Sequence, residues 1–259
     1  MKDKKAVLIV QARMGSTRLP GKVNMPILGK PMLQRELERV KQAKHVDVCI
    51  AATSSSPMDD VVVDIAKAAG VECFRGDEKD VLDRYYHAAL PHKPDLVIRA
   101  TGDCPLQDPD AIDEVIERYY KTGGDYTKQP ENYPEGLDTE AFSFAALEAS
   151  WNEAKLPSER EHVTLFIRNH PERFKLDEWT NGDFNYSEMH WSVDTAPDFE
   201  FATKIYEHMG EKMFHWRDVI ALLAEHPDLL EINKGGTGFE GLAKSLKEDE
   251  EWKKKHAEK

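Results

Sequence analysis

The sequence predicts an α/β fold in which a parallel sheet is covered by helices on both faces. Three observations carry this expectation. Through the first half of the chain, short runs rich in apolar and β-branched residues alternate with segments whose apolar residues recur at helical spacing. Those short runs are apolar throughout rather than at every second position, which is how a strand buried on both faces reads. Between them stand helix-capping residues and glycines where helices must start and stop.

The elements follow in order. "KAVLIVQA" (residues 5–12) reads as a strand, and after a loop "PMLQRELERVKQAK" (31–44) reads as a helix, with Met32, Leu33, Leu37 and Val40 on one face. "VDVCIAAT" (46–53) is the next strand. "PMDDVVVDIAKAAG" (57–70) is a helix opened by Pro57 after Ser56 and closed by Gly70. "VECFRG" (71–76) is a third strand, followed by the helical "EKDVLDRYYHAAL" (78–90). "PDLVIRATGDCP" (94–105) holds a fourth strand, and in "DPDAIDEVIERYYKTG" (108–123) Asp108 caps a helix that Gly123 ends.

Beyond residue 124 the rhythm loosens. "GDYTKQPENYPEGLDTEAFSF" reads as extended segments broken by Pro and Gly turns, and "FAALEASWNEA" and "SEREHVTLFIRNH" as helices. "FKLDEWT" and "MHWSVDT" read as strands, and "APDFEFATKIYEHM" and "HWRDVIALLAEHP" as closing helices. The expected organisation is a single domain over residues 1–242 with an insertion near 130–188. The tail, 243–259, alternates in charge with few apolar residues and reads as a solvated helix or frayed end.

Composition narrows the function. A chain of 259 residues, 40% hydrophobic, can bury a full core. With 35 basic against 48 acidic residues and a net charge of −13, extended contact with nucleic acid or an anionic membrane is disfavoured, because phosphate neutralisation needs surplus Lys and Arg. Cys49, Cys73 and Cys104 have no metal-ligand spacing and read as buried, reduced thiols. No apolar run approaches the roughly 18 residues of a membrane span, and the N-terminal run is shorter than a signal peptide needs, so a cytoplasmic location is expected.

In open parallel sheets ligands sit at the carboxyl ends of the strands, here "QARMGSTR", "ATSSS", "RGDEKD" and "TGDCP". The first of these opens "VQARMGSTRLPGKV", a loop with two glycines and three cations. It is not a P-loop: Gly15 and Gly21 are separated by five residues, and Val23 rather than Ser or Thr follows Lys22. It lacks the G-x-G-x-x-G of a dinucleotide site as well, and Pro20 interrupts it. What remains, the Ser16 and Thr17 hydroxyls, backbone freed by Gly15, and Arg13, Arg18 and Lys22, suits a triphosphate; a solvated basic turn is the alternative.

"QARMGSTRLPGKV" followed by "PILGKPML" resembles the signature loop of the cytidylyltransferases that activate acidic sugars, such as the CMP-sialic acid and CMP-Kdo synthetases, and is most similar to their spore coat polysaccharide branch. "ATSSSPMDD", "FRGDEKDVLDRYY", "VIRATGDCPLQDP", "PEGLDTEAFS", "SEREHVT" and "WSVDTAPDFE" continue the resemblance in order. It implies a three-layer α/β/α nucleotide-diphospho-sugar transferase fold with a mostly parallel mixed sheet of about seven strands. It also implies transfer of CMP from CTP to a small sugar acceptor with release of pyrophosphate, Mg²⁺ as cofactor, and a homodimer.

The resemblance assigns roles residue by residue. Arg13, Ser16, Arg18 and Lys22 match triphosphate-binding positions, with Lys22 stabilising charge at the α-phosphate and Arg13 and Asp103 beside it as catalytic residues. The backbone of Ala12 to Met14, with Gly15, would meet the nucleotide, as would Thr101 and Gly102. Ser54, Ser55 and Arg84 are candidates for the nucleoside, though Arg84 could pair instead with Asp80 or Asp83. Asp103 and Asp194 match the magnesium ligands, hard oxygen donors suited to Mg²⁺; each has an alternative as a helix cap, which Asp108 serves more naturally than Asp103. Glu135, Asp138, Arg160 and His162 fall in segments that approach the acceptor; Arg160 or His162 could hold a substrate carboxylate, with surface pairing to neighbouring acids as the alternative for those two. Transfer of another nucleotide or to a non-sugar acceptor, and a non-catalytic or glycosyltransferase-like role on the same fold, stand as the competing functions.

Overall fold

In the computed structural model, which describes residues 4–235 and 240–257, the strands are β1 (Ala6–Gln11), β2 (Pro26–Ile27), β3 (Lys30–Pro31), β4 (Val48–Ser54), β5 (Glu72–Gly76), β6 (Leu96–Thr101), β7 (Tyr126–Lys128), β8 (Glu140–Ser143) and β9 (Leu176–Asp177). The helices are α1 (Met32–Val40), α2 (Asp60–Ala69), α3 (Val81–Ala89), α4 (Pro109–Thr122), α5 (Phe144–Glu153), α6 (Pro157–Glu161), α7 (Leu165–Asn169), α8 (Ala196–Met209), α9 (Trp216–Glu225) and α10 (Glu240–Ala257).

Seven strands form one sheet in the order β5-β4-β1-β6-β8-β7-β9, and β2 and β3 form a separate hairpin. β1 pairs parallel with β4 and β6, and β4 with β5. β8 runs antiparallel to both β6 and β7, so the sheet is mixed but mostly parallel, as the family resemblance implies. The continuous apolar run of β1 has a direct explanation. Ala6, Leu8 and Val10 enter a core shared with α1, α2 and α4, while Val7 and Ile9 enter a second core shared with α3, α5 and α7. Each such buried aliphatic side chain stabilises the fold by about 1.5–3 kcal/mol relative to exposure. A third core, under α8 and α9, takes in Trp191 and Val193.

Local signals placed most helix ends. Ser56 Oγ accepts from the Met58 N–H before α2, and Gly70 ends it in the left-handed conformation. Asp108 Oδ1 accepts from the N–H groups of Asp110 and Ala111, so α4 is capped as expected and Asp103 is not its cap. All three thiols are free; Cys104 is buried, whereas Cys49 and Cys73 are only half-buried.

Four expectations are corrected. "SEREHVTLFIRNH" is not one helix: Val163, at φ 47, breaks it into α6 and α7. "MHWSVDT" is no sheet strand; it makes one bridge, His190 to Glu135, because its apolar Trp191 and Val193 turn into the third core. The stretch expected as an insertion, 130–188, supplies β8 to the middle of the main sheet and β9 to its edge. The tail is helical and mostly exposed over its described part, as expected, but not solvated all round: α10 packs on α6 through buried Ser245 and Asp249.

Candidate active site

The carboxyl ends of β1 and β6 open onto a cavity of about 910 Å³. The chain leaves β1 with Ala12 N–H bonded to Ala52 O, then folds back on itself, the N–H groups of Ser16 and Gly21 both donating to Met14 O. Gly21, at φ 75, makes the left-handed turn that delivers Lys22 into a short 3-10 turn. Ala12, Arg13, Gly15, Ser16, Arg18 and Lys22 line the cavity. Ser16 Oγ accepts from Leu19 N–H, which stiffens the loop.

Met14 and Ser54 are held away from the cavity. Met14 N–H donates to Asp59 Oδ1 at 2.7 Å, and its side chain packs on the first core. Ser54 is fully buried and its hydroxyl donates to the other oxygen of Asp59. Asp59, itself buried, thus ties the loop after β1 to the end of β4 through Met14 and Ser54, two of the residues expected at the nucleoside. Ser55 is exposed, its N–H bonded to Gly76 O, and it does not line the cavity either.

Lys22 stands at the centre. Its side chain is 9% exposed, and Nζ donates to Asp103 Oδ2 at 3.1 Å, Asp194 Oδ1 at 3.1 Å and Val193 O at 2.6 Å. Arg18 meets the same Asp194 Oδ1 at 2.7 Å. Burial works to lower the Lys22 pKa, but the charges of Asp103 and Asp194 outweigh it and hold the ammonium above its usual range. For Asp103 burial acts upward and the Lys22 charge overrides it, leaving the carboxyl below its ordinary value. The two carboxylates are 91 positions apart, and what brings them together is a backbone bond, Val193 N–H to Asp103 O at 2.8 Å.

Gly102 makes that convergence possible. A Cβ there would lie 2.7 Å from Ala12 Cβ and 2.9 Å from Gln11 O, so only glycine lets the end of β6 pass this close to β1. Thr101, which also lines the cavity, meets Cys104 Sγ through its hydroxyl. On α1, fully buried Glu36 accepts from the Cys104 N–H at 3.0 Å and so fixes the turn bearing Asp103. Burial, then the Asp103 charge, pushes its carboxyl well above the usual range. The sequence marks Glu36 only as an acid on an otherwise apolar helix face.

At the other end of the cavity Arg13 pairs with Glu78 at 3.4 Å. Buried Arg84 lines the wall; it pairs with neither Asp80 nor Asp83 but donates to the carbonyls of Asp77 and Glu78. Burial lowers its pKa, and its Nε has no hydrogen-bond partner. Arg160 lines the cavity too, gripping Asp80 with Nε and Nη2 at 2.6–3.0 Å.

The four expected acceptor residues are not brought together. Arg160 faces the cavity through its Asp80 pair, whereas His162 turns to Ser245 Oγ at 3.0 Å, its pKa lowered by burial. Glu135 is engaged by His190 Nδ1 at 2.6 Å, and Asp138 is exposed, accepting from Gly136 N–H. The sequence missed several cavity-lining residues: Gln11, held by Arg99, and Lys155, Glu161 and Trp252. Gln11 was hidden within a strand, and Trp252 within the charged tail.

The donor set suits a hard divalent cation. Asp103 and Asp194 converge on one point where the Lys22 ammonium now supplies the positive charge. Among the described residues, three carboxylate or imidazole groups gather closely enough to share an ion only at Asp108, Asp110 and His215. There Asp108 is committed to capping, with its oxygens on the N–H groups of Asp110, Ala111 and Trp216.

Comparison with known proteins identifies the family. Residues 7–225 match the sequence profile of the family described as Cytidylyltransferase. An uncharacterised protein of Methanocaldococcus jannaschii is 36% identical over 230 residues, 88% of this chain and 94% of its own. The spore coat polysaccharide biosynthesis protein SpsF of Bacillus subtilis is 35% identical over 229 residues, 86% of this chain and 95% of its own. A solved cytidylyltransferase of Leptospira borgpetersenii superposes with a TM-score of 0.83 at 31% identity, over 91% of this chain and 99% of that one. With residues 7–225 matched, relatives at 35–36% identity and the fold shared over 91% of the chain, this protein belongs to the cytidylyltransferase family.

Proposed function

We propose that the protein transfers CMP from CTP to a hydroxyl of an acidic sugar destined for a surface polysaccharide, with Mg²⁺ and with release of pyrophosphate. The observation that carries this reading is the fork of Asp103 and Asp194 around the Lys22 ammonium, at the mouth of a loop bearing Arg13 and Arg18. The reaction is an in-line displacement: the acceptor oxygen bonds to the α-phosphorus as the bond to the β-phosphate oxygen breaks, and the hydroxyl proton is lost to water. Its barrier lies in charge and alignment rather than in a covalent intermediate.

The residues divide that work. Arg13, Arg18, Lys22 and the N–H groups around Gly15 receive the triphosphate, and Lys22 is placed to follow charge developing at the α-phosphate. Asp103 and Asp194 would hold Mg²⁺, which when bound neutralises phosphate charge. Arg84 and Arg160 border the remainder of the cavity. The choice of an acidic sugar is supported by the resemblance of the loop and of "PEGLDTE" and "SEREH" to the enzymes that activate such sugars, and the polysaccharide by the name of the Bacillus subtilis relative.

The test is pyrophosphate release with each of the four ribonucleoside triphosphates against a panel of acidic sugars, with Mg²⁺ and with chelator. Release with CTP and an acidic sugar, lost on chelation, is expected. Release of similar size with all four nucleotides would overturn the cytidine assignment, and turnover only with polyol phosphates or phosphonates would overturn the sugar.

A further inference from the structure

Helix α10 lies beyond the family match, which ends at residue 225, yet it forms part of the cavity wall: Trp252 lines the cavity together with Glu78, Asp80, Arg84 and Arg160. The helix is anchored by side chains at helical spacing on one face, Ser245, Asp249 and Trp252. Buried Asp249 accepts from both the N–H of Ser158, at 2.9 Å, and its hydroxyl, at 2.6 Å. Ser245, also buried, meets His162 Nε2 at 3.0 Å and donates to Glu161. These bonds join α10 to α6, and Arg160 of α6 grips Asp80 at the start of α3, so the helix that carries Trp252 is fixed at the cavity wall. The ring is half-buried and stacks on His256, centroids 4.0 Å apart and planes 19° from parallel.

The two ends of the cavity differ in chemistry. One carries Lys22, Arg18 and the loop after β1, which draw a polyphosphate. At the other, Arg160 is already offset by Asp80, Arg84 is engaged by the Asp77 and Glu78 carbonyls, and an aromatic ring forms part of the surface. That end is suited to a flat, uncharged group bearing hydroxyls rather than to phosphate. A nucleoside is such a group, and aromatic rings bind bases by stacking.

We propose that α10 is part of the nucleotide site and that Trp252 is a binding residue for the nucleoside moiety, its indole meeting the base or ribose. This rests on the reading of the cavity as a nucleoside triphosphate site and adds to it a residue from outside the family's matched region. Placed for the nucleoside rather than for the phosphates, Trp252 would contribute to nucleotide affinity rather than to the chemical step.

The experiment uses the full chain and three proteins: wild type, Trp252→Ala and Trp252→Phe. Binding of CTP, CMP and inorganic tripolyphosphate is measured by calorimetry, with intrinsic fluorescence recorded in parallel. The expected result is a rise in Kd for CTP and CMP on the order of tenfold in Trp252→Ala, the scale of losing one base–aromatic stack. Trp252→Phe should recover most of the affinity, and tripolyphosphate should bind all three proteins equally. Nucleotide should also quench a component of wild-type fluorescence that both variants lack. Unchanged CTP affinity in Trp252→Ala overturns the proposal, as does an equal loss of tripolyphosphate binding. Failure of the wild-type chain to bind any nucleotide removes the nucleotide reading itself, and is told apart because it does not depend on the variants.

Discussion

Lys22 satisfies two carboxylates that would otherwise repel each other, and that single fact sets the energetics of the site at the scale of one residue. Replacing it with alanine strips Asp103 of its Lys22 partner and leaves Asp194 to Arg18 alone, and on the proposed function it removes a cation from the phosphate path. Lys22→Ala is expected to lower pyrophosphate release by at least about 10²-fold, the scale of losing one preorganised electrostatic contact, while its circular dichroism matches wild type. Near-normal turnover would remove Lys22 from the machinery. A second residue has a pH consequence. His190 is buried between Glu135 and Asp198. Burial works to lower its pKa, but the carboxylates of Asp198 and Glu135 hold it at about 10. A group protonated more tightly in the folded chain stabilises fully below its unfolded value, about 6.5, and loses that contribution as pH rises through the folded one. Thermal stability is therefore expected to fall between pH 7 and 10, and His190→Gln to flatten that part of the profile. A variant with the same slope as wild type would contradict the assignment. At this scale the sequence identified the cations and carboxylates but not their directions. Ser54 and Met14 look as available as Ser16 until buried Asp59, five positions from the one and 45 from the other, is seen to take their hydrogen-bonding groups.

Elements were legible where the signal was local. The two-sided apolar run of β1, the Asp108 cap and the glycine stops at 70 and 123 each encode their structure within a few residues. They failed where a partner decided. The face by which α10 docks is polar, Ser245 and Asp249 against Ser158, so no apolar stripe announced it. The break between α6 and α7 rests on a left-handed valine, a conformation no β-branched residue advertises. The junction of β1 and β6 offers an element-scale test. Gly102→Ala forces a methyl group into Ala12 and the Gln11 carbonyl, which is expected to cost about 1–3 kcal/mol, the usual range for overpacking, and to displace Asp103. The urea midpoint measures the first and pyrophosphate release the second; a midpoint equal to wild type would show that the strands part without strain. Within the sheet, Arg99 of β6 pairs with Glu140 of β8, whose carboxyl is held below its usual range against burial by that charge. Glu140→Ala leaves a largely buried guanidinium unpaired and is expected to cost about 3 kcal/mol or more, read from the same denaturation curve.

For the whole molecule, ligand and fold are linked. On the proposed function, triphosphate and Mg²⁺ would engage residues from the loop after β1, the end of β6 and the segment before α8, so their binding free energy would add to the stability of a structure in which those elements are assembled. CTP with Mg²⁺ at about a hundred times its Kd is expected to stabilise the folded chain by about 2.7 kcal/mol, and to raise the melting temperature more than ATP, GTP or UTP does. Chelation should cancel most of the shift. Equal shifts with all four nucleotides would argue against cytidine selectivity. By itself the sequence determined the layered α/β architecture, the order of its first strands and helices, and the basic loop at the end of the first strand. These depend on periodicity, caps and spacing, which act over neighbouring residues. Tertiary structure alone decided which of the candidate groups meet: that Asp103 and Asp194 close on Lys22, that Glu135 and His162 are engaged elsewhere, and that the charged tail returns to place Trp252 in the cavity. Such meetings depend on backbone bonds and packing between residues far apart in the chain, like Val193 on Asp103 or Asp249 on Ser158, and no local pattern records them.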